Sequence, residues 1–231
     1  SQVLTLGIVT LIDAAGNTNY TIDYKPKATH LPTAGVAWDN ANSTKIQNLI
    51  SLGDVVGQDG LHDPDTLIFS PENFELFKTD TDIKERLNLI DMRDGRLDRL
   101  RTPGMGGNFR GTFDIGSYKF DLYTYAGFYT HPQTGVNTRY IPSDKVIMMS
   151  SDARMDATFG AIPNFNEILG IQDRRILPYL PRRVSSAAGG VDMHVNGWIS
   201  LDGESMEVGV GARPLMIPTA IDTFGCLDTG I

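Results

Sequence analysis

The sequence predicts an α+β fold with strands at both ends and helices gathered in the middle. Three observations carry this expectation. Apolar and polar residues alternate near the N-terminus and again after residue 117, short apolar stripes at helical spacing fall between residues 43 and 90, and glycine and proline cut the chain into short pieces.

The first element is a hairpin from Gly7 to Lys25. "GIVTLID" and "NYTIDYK" are joined by "AAGNT", a stretch rich in turn formers. Tyr20, Ile22 and Tyr24 alternate with Thr21, Asp23 and Lys25, which places the apolar set on one face. "KPKATHLPTAG" follows as an ordered extended connection, because its prolines exclude a strand interior. Ser43 is the expected N-cap of a helix whose stripe is Ile46, Leu49, Ile50, Val55 and Val56, with Gly57 and Gly60 stopping it. Leu67, Ile68 and Phe69 read as a buried strand. Ser70 and Pro71 then start a helix carrying Phe74 and Phe77 on one side.

"TDIKERLNLI" predicts a second short helix, with Ile83, Leu87 and Ile90 on one face and Asp82 with Glu85 as a capping pair. From Asp91 to Gly116 the chain is charged, glycine-rich and aperiodic, which predicts a long exposed loop. "SYKFDLYTYAGFY" returns to strand alternation, "HPQTG" makes a turn, and "DKVIMMSS" is a short buried strand. The proline-punctuated "IPNFNEILGIQDRRILPYLPRRV" predicts irregular structure, and "DMHVNGWIS" and "SMEVGVGARPLM" are the closing strands. The apolar, extended "VGVGARPLMIPTAIDTFG", Val208 to Gly225, predicts a segment that packs against copies of the same chain.

Composition narrows the function classes. At 231 residues the chain can bury a sizeable core, and 41% hydrophobic with 21% charged residues is ordinary for a folded domain. A net charge of −8 argues against a dedicated nucleic-acid binder, which needs a basic face. Cys226 is the single cysteine, so no internal disulfide forms, and a reducing compartment fits. No apolar run approaches the roughly 20 residues of a bilayer span. "SQVLTLGIVT" lacks the basic start and small-residue cleavage site of a signal peptide, and without an initiator methionine the chain reads as processed or cut.

Catalytic patterns are missing from the sequence. His30, His62, His131 and His194 are far apart and none stands in an HExxH or CxxC setting. His62, Asp63 and Asp65 in "HDPD" could ligate a divalent ion, but a polar turn beside Pro64 explains them better. "GMGGNFRG" has no GK[ST] ending to hold phosphates and magnesium, so a flexible loop is the better account. Cys226 has no base beside it and reads as a small buried hydrophobe; no GxSxG occurs. Asp91, Asp94 and Asp98 resemble a solvated loop more than an acid and base pair. The cations of interest are Arg174, Arg175, Arg182 and Arg183, with Arg101, Arg110 and Arg213. On an acidic chain their forked donors suit carboxylates of a neighbouring chain. A solvated loop is an equal alternative for the two arginine pairs, and phosphate contact a lesser one.

Three blocks in order carry a resemblance: "QVLTLGIVTL" with "YTIDYKPKATH", "AWDNANSTKIQNLI" with "DTLIFSPENFELF", and "VGVGARPLMIPTAIDTF". Together they resemble the tailed-phage major capsid proteins, specifically the lambda-type major capsid protein E family, across essentially the whole chain. The resemblance implies the Hong Kong-phage-type capsid fold. Residues 1–38 would hold the hairpin part of a peripheral domain, 39–175 the axial domain with Arg101–Gly111 as its centre-facing loop, and 176–231 the return to the peripheral domain. Family members carry a further stretch ahead of the "LTLG" block. The N-terminal arm, the E-loop and most of the spine helix would therefore be absent from this chain, with Ser1–Thr5 as the end of that helix.

The resemblance further implies a structural protein without enzymatic activity or cofactor. Such a chain would self-assemble into the hexamers and pentamers of an icosahedral shell in the virion, put together in the bacterial host cytoplasm. The shell would enclose double-stranded DNA without sequence-specific binding and without contact to a membrane. A decoration protein, portal and scaffold are further candidate partners. The alternatives are another phage structural protein, of tail or head completion, and a metal-dependent hydrolase built on His62, Asp63 and Asp65.

Overall fold

A computed structural model describes residues 2–12, 17–89, 107–131, 134–159, 194–199, 206–211 and 214–231. The first helical turn, α1 (Gln2–Leu6), ends where the Gly7 N–H donates to the Val3 carbonyl at 3.0 Å. Gly7 has φ +65°, and a Cβ on it would fall 2.2 Å from Pro26 Cγ, so only glycine fits this exit. The hairpin forms as expected. β1 (Ile8–Ile12) pairs antiparallel with β2 (Thr18–Asp23), and the register sets Val9 opposite Ile22 and Leu11 opposite Tyr20. The connection after it is not extended throughout, because Ala28–His30 forms a 3₁₀ turn that carries His30 into the interior.

Helix α2 spans Lys45–Gly60. Its N-cap is Thr44 rather than Ser43, and Thr44 makes no side-chain cap bond. The buried face is Lys45, Leu49, Leu52, Gly53 and Val56, so Leu52 replaces Val55 in the expected stripe. Gly57 and Gly60 lie inside the helix, and Leu61, left-handed at φ +56°, ends it. A glycine costs a helix roughly 1 kcal/mol, which burial of a whole apolar face outweighs.

Strand β3 (Thr66–Phe69) and helix α3 (Pro71–Thr79) follow the sequence reading. Ser70 Oγ accepts from the Asn73 N–H at 3.1 Å, and Pro71 opens the helix where no N–H is needed. Helix α4 (Thr81–Arg86) is shorter than the periodicity predicts, because Leu87–Leu89 form strand β4. Its start is capped by Asp80, whose carboxylate accepts from the Asp82 N–H at 3.0 Å, in place of the expected capping by Asp82.

The expected loop from Asp91 to Gly116 is corrected in its second half. Gly107–Asp114 is strand β5, and the "GNFRG" of the supposed flexible loop lies within it. Residues 90–106 lie outside the described residues. β5 escapes a sequence reading because its burial depends on non-local pairing with β4 and with β6 (Lys119–Tyr125), and a bulge near Arg110 shifts its alternation. The next predicted strand is broken after Tyr125; β7 (Phe128–Thr130) instead pairs with β8 (Asn137–Arg139) around the expected turn. β9 (Lys145–Met149) is buried at Val146, Ile147 and Met148. β10 (Met155–Phe159), β11 (His194–Ile199), β12 (Met206–Gly211), β13 (Pro214–Pro218), a 3₁₀ turn at Ile221–Thr223 and β14 (Phe224–Asp228) complete the described elements.

A six-stranded mixed sheet runs β14-β9-β3-β6-β5-β4, in which β3 and β6 are parallel and the other pairs antiparallel. One face presents Leu67, Phe69, Leu122, Val146, Met148 and Leu227 to α2 and α3. Phe77 sits among aromatic rings there, with centroids 5.0 Å from Phe69, 5.2 Å from Phe113 and 6.0 Å from Trp38. Each such buried side chain contributes about 1.5–3 kcal/mol. The other face carries Ile68, Ile147 and Cys226, packed with Leu4 and Leu31.

The chain divides into two units. One is Ser1–Arg154 with Thr219–Ile231 and contains the six-stranded sheet. The other, Met155–Pro218, contains two antiparallel pairs, β10 with β13 and β11 with β12. The closing segment from Val208 to Gly225 is thus partly accounted for within the chain, since its β12 residues pair with β11, β13 pairs with β10, and Phe224 and Gly225 open the edge strand β14. No described helix is long and apolar enough to cross a membrane.

Candidate functional site

Cys226 lies in β14 with its thiol buried, and burial pushes the thiol up to about 12. It is protonated and inaccessible at neutral pH, which suits packing and not nucleophilic attack. His62 faces Asp152, 3.4 Å from Nδ1 to the carboxylate, and Asp65 accepts a hydrogen bond from Thr66 at 2.8 Å. Among the described residues, His62, Asp63 and Asp65 do not make a group of metal-ligand geometry.

Of the arginines singled out in sequence, Arg110 lies in the described part, and it is engaged within its own chain. Its Nε donates to Thr124 Oγ1 at 2.8 Å and its guanidinium sits 5.6 Å from the Phe74 ring centroid. Arg101, Arg174, Arg175, Arg182, Arg183 and Arg213 lie outside the described residues. Arg139, which the sequence reading passed over, pairs with Glu72 and lies 4.5 Å over the Phe128 ring. Nothing at the sequence level links position 139 to position 72.

Two further clusters are tertiary in origin. At the sheet edge Lys145 Nζ lies 2.6 Å from Asp228 and 3.4 Å from Asp144. The second cluster joins the 3₁₀ turn at His30, the end of α2 and the turn before β14. His30 Nδ1 is 2.9 Å from the Phe224 carbonyl oxygen and Nε2 is 3.0 Å from Asp59 Oδ2. Lys27 Nζ lies 2.9 Å from Asp59 and 4.0 Å from Asp222. The Lys27 hydrogen bond, and then that of His30, hold the Asp59 carboxyl below the usual range.

The described surface also exposes apolar side chains in clusters. On the β1–β2 hairpin Leu11 and the 64% exposed Tyr20 stand opposite one another on one face. On the β7–β8 hairpin Phe128, Val136 and Tyr140 are exposed, and on β13 Met216 and Ile217. Such faces suit contact with other protein surfaces better than they suit a small ligand.

The sequence matches the family described as phage major capsid protein E over residues 1–225. The chain belongs to that family. Its fold resembles a crystal structure described as the capsid protein of a prophage of E. coli CFT073, with TM-score 0.66 and 16% identity, covering 98% of this chain. The chain spans 60% of that protein's length. A phage-related protein from Bordetella bronchiseptica RB50 is more distant, with TM-score 0.41 and 7% identity over 85% of this chain and 53% of the other. No curated protein matches the sequence. The mixed α and β architecture of this member of the phage major capsid protein E family agrees with the fold of the prophage protein.

Proposed function

We propose that the chain is the head-shell subunit of a tailed phage or prophage, and that its work is assembly with copies of itself into hexamers and pentamers of a closed icosahedral shell. Membership of the capsid family across residues 1–225 carries this reading. The exposed apolar faces of the β1–β2 and β7–β8 hairpins support it, because each would bury area at about 25 cal/mol per Å² against a neighbour before ordering costs. Many modest contacts per subunit reinforce one another once the shell closes. No enzymatic step belongs to this role. Arg101, Arg110, Arg174, Arg175, Arg182, Arg183 and Arg213 are proposed subunit contacts. Residues 1–38 and 176–231 are proposed as peripheral domain, and residues 39–175 as axial domain.

The subunit's place is the virion, after assembly in the host cytoplasm. The net charge of −8 fits a wall that encloses DNA without gripping it, since like charges repel. Expression of the whole gene product followed by negative-stain electron microscopy tests the proposal. Closed shells support it, while rings or tubes point to a tail or head-completion component. Particles that stay single subunits under all conditions overturn it.

A further inference from the structure

The cluster at His30 holds two carboxylates close together beneath a buried imidazole, and the backbone enforces that approach. A Cβ on Gly60 would fall 2.7 Å from the Asp222 carbonyl oxygen, so glycine lets the end of α2 come up against the turn that carries Asp222. His30 is 1% exposed. A carbonyl oxygen can only accept, so the 2.9 Å contact with Phe224 fixes the proton on Nδ1. Nε2 then points at Asp59 Oδ2, 3.0 Å away, with Asp222 Oδ1 3.9 Å away. The 3.0 Å contact needs positive charge between the two atoms, supplied either by a proton on Nε2 donated to Asp59 or by a metal ion that takes that proton's place. An imidazole oriented through Nδ1 by a backbone carbonyl, with Nε2 turned toward carboxylate oxygens, has the orientation of a metal-binding histidine.

We infer that His30 Nε2, Asp59 and Asp222 form a site for a divalent transition cation of the zinc class, which displaces the Lys27 ammonium when it binds. One imidazole nitrogen and two carboxylate oxygens are a mixed donor set that suits Zn²⁺. The three ligand atoms lie within 4.8 Å of one another. Tetrahedral zinc with bonds of about 2.0–2.1 Å sets its ligand atoms roughly 3.3 Å apart, so Asp59, 3.0 Å from Nε2, is already near that spacing and Asp222, at 3.9 Å, must move closer. Lys27 now supplies one positive charge from a side chain 53% exposed, and it can swing into solvent. The bound ion clamps three segments distant in sequence: the turn at residues 28–30, the end of α2 and the turn before β14. This inference does not rest on the assembly reading.

The test is titration of the chelator-stripped protein with ZnCl₂, followed by calorimetry and thermal unfolding. The expected result is saturable binding of one zinc per chain, with Tm raised by about 5 °C at a hundredfold excess over Kd. Asp222→Asn, at a partly exposed position, is expected to weaken binding at least about tenfold. Lys27→Met removes the competing ammonium and is expected to tighten it severalfold. Both variants avoid the buried ring, so folding is preserved. Absence of saturable binding overturns the inference. Binding unchanged by Asp222→Asn, or weakened by Lys27→Met, overturns it as well.

Discussion

Lys145 reaches two carboxylates at the sheet edge, and the balance of charges sets how stability depends on pH. Burial lowers the affinity of the Lys145 amine for its proton, but the hydrogen bond to Asp228 and the charge of Asp144 outweigh it, so its pKa is raised. Burial would raise the Asp228 pKa, yet the Lys145 hydrogen bond and the Gly230 N–H bring it below the ordinary value. A depressed carboxyl stabilises the fold above its unfolded pKa of about 3.9 and loses that contribution as pH falls through the folded value. A raised amine stabilises below about 10.4 and loses its contribution as pH rises through the folded value. Denaturant titrations across pH are expected to show loss on both limbs. Lys145→Met should shrink both and cost about 1–2 kcal/mol at pH 7, since Asp228 is left half-buried without its partner. Arg110→Ala removes a partner of the buried Thr124 hydroxyl and the cation over Phe74, and is expected to cost about 1–2 kcal/mol in chemical unfolding.

At the scale of elements, the junction of β3 and α3 shows how one side chain serves two structures. Ser70 is fully buried; its oxygen accepts from the Asn73 N–H and its hydroxyl donates to the Ser143 carbonyl at 3.3 Å. Ser70→Ala is expected to lower stability by about 1–2 kcal/mol in urea unfolding, with Ser70→Thr recovering part of it. This cap was legible because Ser, Pro and the following phenylalanines are adjacent in sequence. The start of α2 was not, because Thr44 makes no cap bond and the buried face there includes Lys45, whose ammonium donates to the Leu76 carbonyl at 2.7 Å. Burial pulls the Lys45 amine below its ordinary pKa, against the charge of Asp80. A lysine on a core face breaks the apolar pattern that locates a helix.

For the whole molecule, the hairpin at the N-terminal end is the place to separate folding from assembly. Leu11 and Tyr20 form an exposed cross-strand pair, so replacing both by serine removes little from the interior. Leu11→Ser with Tyr20→Ser is expected to change unfolding free energy by no more than about 1 kcal/mol. The same double variant of the whole gene product should reduce shell yield at least about tenfold, measured by sedimentation. Normal yield from that variant would move the proposed contacts away from this hairpin.

Local chemistry settled the hairpin, β3, α3 and β9, since turn residues, a serine-proline start and continuous apolar runs act over a few positions. Family membership was likewise legible, because the order of three blocks survives without knowledge of contacts. The strand at Gly107–Asp114, the early end of α4 and the meeting of His30, Asp59 and Asp222 were decided by tertiary structure alone. Each depends on segments distant in sequence coming together, and the free energy that fixes them comes from burial against partners that no local window contains.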